Sequence, residues 1–119
     1  MSSPDLHIDR HIDYVELCAP DLDLVKKFYS AAFGWEFQDW GPDYIDFKRA
    51  GLAGCFGREE TPMAGGTLVV LYALSLADTL VRVEEAGGTI SRPIFDFPGG
   101  RRFHFLDPCG NELGVWSDK

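Results

Sequence analysis

No run of apolar residues in this chain is long enough to cross a bilayer, which takes roughly twenty in succession, and the first residues hold no apolar segment behind a basic patch. A membrane-spanning or exported protein is therefore not expected, and a cytoplasmic one is. Positive charge is in short supply: Lys and Arg total 11 against 19 Asp and Glu, a formal net charge of -8. Nucleic acid and anionic membrane surfaces are gripped mainly by cationic side chains, so neither is an expected partner. Cysteine is scarce as well. Cys18, Cys55 and Cys109 are odd in number and lack CxxC spacing, which suits free thiols in a reducing compartment rather than a disulfide framework.

What the chain does have is enough apolar material for one core. At 119 residues, 45% hydrophobic and 13% aromatic, it is expected to form a single globular domain. His11 to Cys18 alternates like a strand, with Val15 and Leu17 on one face. Asp21 is placed to cap a helix whose apolar stripe is Val25, Phe28, Tyr29 and Ala32, and Gly34 ends it. Short strands are predicted at Trp35–Asp39, Tyr44–Arg49 and Leu52–Arg58. The same order then repeats: a strand over Thr67–Leu74, a Ser75-x-x-Asp78 capping box with Leu76, Leu80 and Val83 behind it, a Gly87-Gly88 stop, and strands at Thr89–Phe95, Arg102–Leu106 and Glu112–Ser117. The pattern is βαβββ twice, module one at 11–58 and module two at 67–117, joined by 59–66, with no linker long enough to separate independent domains. The fold class is α+β.

The last hairpin holds the most informative chemistry. Phe103, Phe105, Leu113 and Val115 supply an apolar face, which leaves Arg102, His104, Glu112, Gly114 and Trp116 on the other, because strand side chains alternate. A sheet face that gathers His, Arg, Glu and Trp is suited to lining a ligand cup.

The stretch Phe28-Tyr29-Ser30-Ala31-Ala32-Phe33-Gly34-Trp35-Glu36-Phe37 resembles the helix-to-strand signature of the vicinal oxygen chelate superfamily. Glyoxalases, bleomycin-resistance proteins and extradiol dioxygenases belong to this superfamily. Ala86-Gly87-Gly88 resembles the matching junction of the second module, and Asp107-Pro108-Cys109-Gly110-Asn111 the final turn. The resemblance implies a curved mixed sheet forming a cup, with the helices on its outer face. It also implies where a metal would be held: on the first strand near Tyr14, within Leu68-Val69-Val70, and on the last strand at Gly114. These positions supply at best one phenol, so no metal and no other cofactor is expected. A shifted donor set of Glu16, Glu112 and His104 is the alternative, each glutamate standing roughly 7 Å along its strand from the usual position.

His104 matches a strand position where extradiol-type relatives carry a polar active-site residue, and with Glu16 it is the candidate acid–base pair. A structural histidine bonded to a carboxylate is the plainer alternative. Tyr14, Arg102, Glu112 and Trp116 are the candidate ligand contacts, Arg102 as a carboxylate clamp and the aromatics as stacking surfaces. Cys18 and Cys55 read as small buried fillers. Two functions follow: a small-molecule-binding protein of the bleomycin-resistance kind, or a glyoxalase-like lyase or isomerase, or dioxygenase-related enzyme, with an unusual metal site or His/Glu acid–base chemistry. A domain without a ligand is the dullest outcome. Exposed sheet edges in each module predict a homodimer, with modules paired within one chain or across two.

Overall fold

Residues 8–10, 14–58 and 67–119 are described by the computed structural model of the chain. In module one, β1 (Val15–Cys18) leads into α1 (Leu22–Phe33), followed by β2 (Glu36–Asp39), β3 (Tyr44–Lys48) and β4 (Gly54–Gly57). Module two repeats this with β5 (Val69–Tyr72), α2 (Leu76–Glu85), β6 (Thr89–Phe97), β7 (Gly100–Leu106) and β8 (Glu112–Ser117). His7, His11, the expected start of the first strand and the joint 59–66 lie outside the described residues.

Each module closes its own four-stranded mixed sheet, in the orders β1-β4-β3-β2 and β5-β8-β7-β6. In both, the strand before the helix pairs in parallel with the last strand, while the remaining strands are antiparallel. Both helix starts follow from their caps: Asp21 Oδ1 accepts from the Leu24 N–H at 3.1 Å, and Ser75 Oγ from the Asp78 N–H at 3.3 Å. Gly34 ends α1 in the left-handed region at φ 73°, where a side chain is disfavoured. The strand β6 runs two residues beyond its expected end, and its pairing with β7 shifts between Ile90 and Arg92 and again between Arg92 and Phe95. Pro93 lies inside this stretch and has no N–H to give a ladder, so the edge strand bulges around it.

The two sheets share one core. The expected apolar face is fully buried, with Phe103, Phe105 and Val115 at 0% exposure and Leu113 at 1%. Phe105 joins the modules: its ring centroid lies 5.7 Å from that of Phe28 and 5.8 Å from that of Phe33. A polar lock crosses the same boundary. Tyr29 Oη donates to Asp107 Oδ2 at 2.9 Å, and Asn111 Nδ2 donates to the same oxygen at 3.0 Å and to the Cys18 carbonyl at 2.7 Å. Asp107 Oδ1 also takes the backbone N–H groups of Cys109 and Asn111. Burial, reinforced by the Asp107 charge, pushes the Tyr29 phenol well above its ordinary pKa, so it stays a donor. The Phe28-Tyr29 and Asp107–Asn111 motifs thus meet as a structural clasp.

Candidate functional site

Because the two sheets bury one face each in the shared core, their opposite faces are left to form walls. On module one, strand pairing sets Glu16, Cys55 and Asp46 in one row across β1, β4 and β3. Tyr14 Oη donates to Asp46 Oδ1 at 3.0 Å, and both Asp46 and Cys55 are buried. Tyr14, Glu16, Asp46 and Cys55 line a depression of about 450 Å³ whose rim is the half-exposed pair Trp40 and Tyr44. Burial is the main cause that raises the Tyr14 phenol, followed by its contacts with Cys55 and Asp46. The Cys55 thiol is pushed up chiefly by burial, with Glu16 and Asp46 adding to it against the Tyr14 hydrogen bond. Such a thiol is protonated at neutral pH and a poor nucleophile.

The corresponding row on module two is Val70, Gly114 and His104, across β5, β8 and β7. His104 is 9% exposed, and its Nδ1 lies 3.7 Å from Glu112 Oε2, which in turn accepts from Ser91 Oγ at 3.1 Å. Burial, then the Arg102 charge, lowers the His104 pKa, and the opposing pull of Glu112 is smaller. The imidazole is therefore neutral at neutral pH, and a proton on Nδ1, toward the glutamate, makes Nε2 an acceptor. Nε2 is buried with no hydrogen-bond partner among the described residues, and so is Arg102 Nε. Aromatic rings frame these groups. Phe95 meets His104 edge-on at 5.7 Å, the Arg92 guanidinium lies 3.6 Å over Phe95, and Arg102 is 5.2 Å from both Phe95 and Phe97. Arg102 and Trp116 line a pocket of about 240 Å³ with Val70, Phe97 and Gly99.

The structure thus brings Tyr14 together with Glu16, His104 with Glu112, and Arg102 with Trp116. It sets Glu16 on a different sheet from His104, Glu112 and Trp116, and the pockets holding Glu16 and Trp116 are separate. A cleft of about 570 Å³ opens elsewhere, beside β1 and β5, lined mostly by apolar residues such as Leu17, Trp35, Phe47 and Leu71 and by none of the predicted site residues. Asp46 and Arg92 were not singled out from sequence. An acid between Ile45 and Phe47 is the signal that would have found Asp46, whereas register shifts on both sides of Arg92 defeat a parity count to it.

The same geometry bears on the positions where a metal would be held. Val70 and Gly114 offer no donor, and a Cβ at Gly114 would come 3.3 Å from His104 Cδ2 and 3.6 Å from its Nε2, so the imidazole lies over the space a ligating side chain would use. The shifted set is divided between two sheets, and no group of three His, Cys, Asp or Glu among the described residues is arranged to hold an ion. Among the described residues, the positions that the resemblance implies do not supply the usual set of donors.

Comparison with known families decides the lineage: the model of the "Glyoxalase/Bleomycin resistance protein/Dioxygenase superfamily" matches residues 11–115. The chain belongs to this superfamily. It is similar to CFP32 of Mycobacterium tuberculosis, named as a candidate glyoxylase, at 29% identity over 116 residues, covering 87% of this chain and 44% of that protein. It is also similar to the anthracycline biosynthesis protein DauV of a Streptomyces species, at 31% identity over 117 residues, covering 87% of this chain and 40% of DauV. The chain therefore spans less than half the length of these curated relatives. In fold it is similar to the fosfomycin resistance protein FosX of Listeria monocytogenes, with a TM-score of 0.79 at 17% identity, covering 94% of this chain and 96% of that one.

Proposed function

We infer that this glyoxalase-superfamily protein binds a small organic molecule against the module-two wall, without a conventional metal. The observation that carries the reading is the pair of unpartnered buried nitrogens, His104 Nε2 and Arg102 Nε, set among Phe95, Phe97 and Trp116. An unsatisfied buried polar atom costs about 1–3 kcal/mol, which a ligand group can recover. A relative named for anthracycline biosynthesis, and a fold neighbour named for fosfomycin resistance, support an organic ligand.

The wall is open in one chain, and the reading includes its closure by a second copy. Half-exposed apolar side chains stand on both walls, Trp40 and Tyr44 on one, Val70 and Tyr72 on the other. A two-fold pair in which module one of each copy faces module two of the other would cover them and bring Tyr14 and Glu16 to His104. The three free thiols support a cytoplasmic setting. Among the described residues no helix is long and apolar enough to cross a membrane.

A second reading, acid–base catalysis, rests on the neutral imidazole with Glu112 at Nδ1 and Nε2 left to accept a proton. A thermal-shift screen of small organic molecules tests the first reading: hits should weaken in His104→Ala while the apo melting temperature changes little. A screen with no hit for the wild type would refute it. Sedimentation should find a dimer at micromolar concentration, and only monomer would refute closure by a second copy. Purified protein should hold well under one metal equivalent, with a melting temperature insensitive to chelator. Stoichiometric metal with chelator-sensitive stability would overturn the metal-free part.

A further inference from the structure

The chain carries a net charge of -8, and four of its seven arginines, Arg82, Arg92, Arg101 and Arg102, are without a carboxylate among the described residues. No carboxylate oxygen lies within 4 Å of a side-chain nitrogen of Arg92, Arg101 or Arg102 among the described residues. Glu112 is engaged by Ser91 and Asp118 by Tyr72 at 2.6 Å, while Asp96 stands opposite Arg101 in the β6–β7 ladder beyond ion-pair distance. Two of the three arginines, Arg92 and Arg102, are held against the Phe95 ring on the module-two wall. Arg102 lies between Phe95 and Phe97 and faces the pocket it shares with Val70, Phe97, Gly99 and Trp116. Arginine packed on aromatic rings loses little further freedom on binding and is weakly hydrated, so it is primed for an anion.

We propose that this pocket takes an aromatic carboxylate, its carboxylate on Arg102 and its ring against Trp116 and Phe97. The inference rests on the small-molecule reading above and names the class of molecule. Each part of the pocket has its counterpart in the ligand. The guanidinium is the charged group in an otherwise apolar lining, which matches an apolar body with one anionic group. Arg102 Nε is a buried N–H without an acceptor, and a carboxylate oxygen supplies one through a charge-assisted bond. Arg92, 3.6 Å from the Phe95 centroid, adds positive potential from the next strand. The opposite chemistry stands on module one, where Glu16 and Asp46 under Trp40 and Tyr44 would suit an organic cation instead. The two walls thus make opposed predictions for one set of ligands.

Calorimetric titration of the purified protein with 2-naphthoate, 2-naphthamide and 2-naphthylmethylammonium separates them. Naphthoate is expected to bind tighter than naphthamide by about tenfold or more, the fold-change for one hydrogen bond to a charged group. Arg102→Met keeps an apolar stem between the two phenylalanines. It should bring the naphthoate-to-naphthamide ratio close to one, chiefly by weakening naphthoate, and an unchanged circular dichroism spectrum with cooperative melting reports that the variant is folded. Raising the salt concentration should weaken naphthoate binding to the wild type more than naphthamide binding. Equal affinity for acid and amide, or an acid preference that survives Arg102→Met, would each overturn the assignment. So would failure of all three compounds to bind. In that last case the broader small-molecule reading stands if the thermal-shift screen yields other ligands, and falls only if it yields none.

Discussion

The two modules share one backbone plan and carry different chemistry at matched positions. Glu16 and Val70 each stand five residues before a helix cap, and each pairs across a parallel ladder, with Cys55 in one module and Gly114 in the other. One strand further in, Asp46 corresponds to His104. Module one presents carboxylates and a protonated thiol, module two an imidazole and guanidiniums. Their core sides differ as well: α1 buries Leu22, Val25, Phe28, Tyr29 and Ala32, whereas α2 buries only Leu76 and Val83. The repeat therefore preserves hydrogen-bond pairing and helix placement while leaving the outer row free to diverge. Backbone ladders constrain every strand residue alike, but only core-facing side chains must also fill a fixed volume.

The sharpest test sets one face of β7 against the other. Phe105→Ala removes a fully buried ring that touches Phe28 and Phe33 across the module boundary, and should cost about 3–5 kcal/mol in urea unfolding. His104→Ala, one residue away on the outer face, should cost far less. Equal losses would break the distinction between core face and wall.

A smaller effect is expected at the clasp that joins the modules. Asn111→Ala deprives the buried Asp107 carboxylate and the Cys18 carbonyl of a donor, and should destabilise by about 1–3 kcal/mol. Tyr29→Phe removes another donor to the same Asp107 oxygen. The two substitutions should therefore couple, and strict additivity of the pair in denaturant titrations would show that Asp107 does not act as their common acceptor.

The smallest effect is a pH dependence assigned to His104. Its folded pKa lies below the ordinary 6.5, so the unfolded chain takes up this proton first as pH falls. Its contribution is then constant above the unfolded value and becomes increasingly destabilising as pH drops below 6.5 toward the folded pKa. His104→Gln should flatten that part of the stability profile. An NMR titration of the ring should give a midpoint below 6.5, and one above it would mean that Glu112 outweighs burial and Arg102.

Much of this architecture was legible residue by residue. Asp21, Gly34 and Ser75 marked helix limits through local hydrogen bonds and backbone freedom, and the structure has α1 and α2 where those signals lie. Strand parity separated Phe103, Phe105, Leu113 and Val115 from Arg102, His104, Glu112 and Trp116, because alternation depends only on position along a regular strand. Parity offers no guide along β6, where register shifts on both sides of Arg92, one at Ser91 and one across Pro93, bring it opposite His104. The resemblance motifs pointed to the family, but nothing local shows that Tyr29 and Asp107, 78 residues apart, would meet as a clasp rather than in the ligand site.

What the amino-acid order alone determined was the local grammar: caps, stops, alternation, the doubled βαβββ plan and the lack of metal donors at Val70 and Gly114. What only the tertiary structure decided was convergence. Which strands pair, that His104 lies over Gly114 beside Glu112, that Arg102 rests between two rings without a carboxylate, and that Glu16 stands on another sheet all depend on contacts between distant segments. Local signals arise from hydrogen bonds and sterics within a few residues, whereas a site forms where packing of a shared core brings separate strands into register.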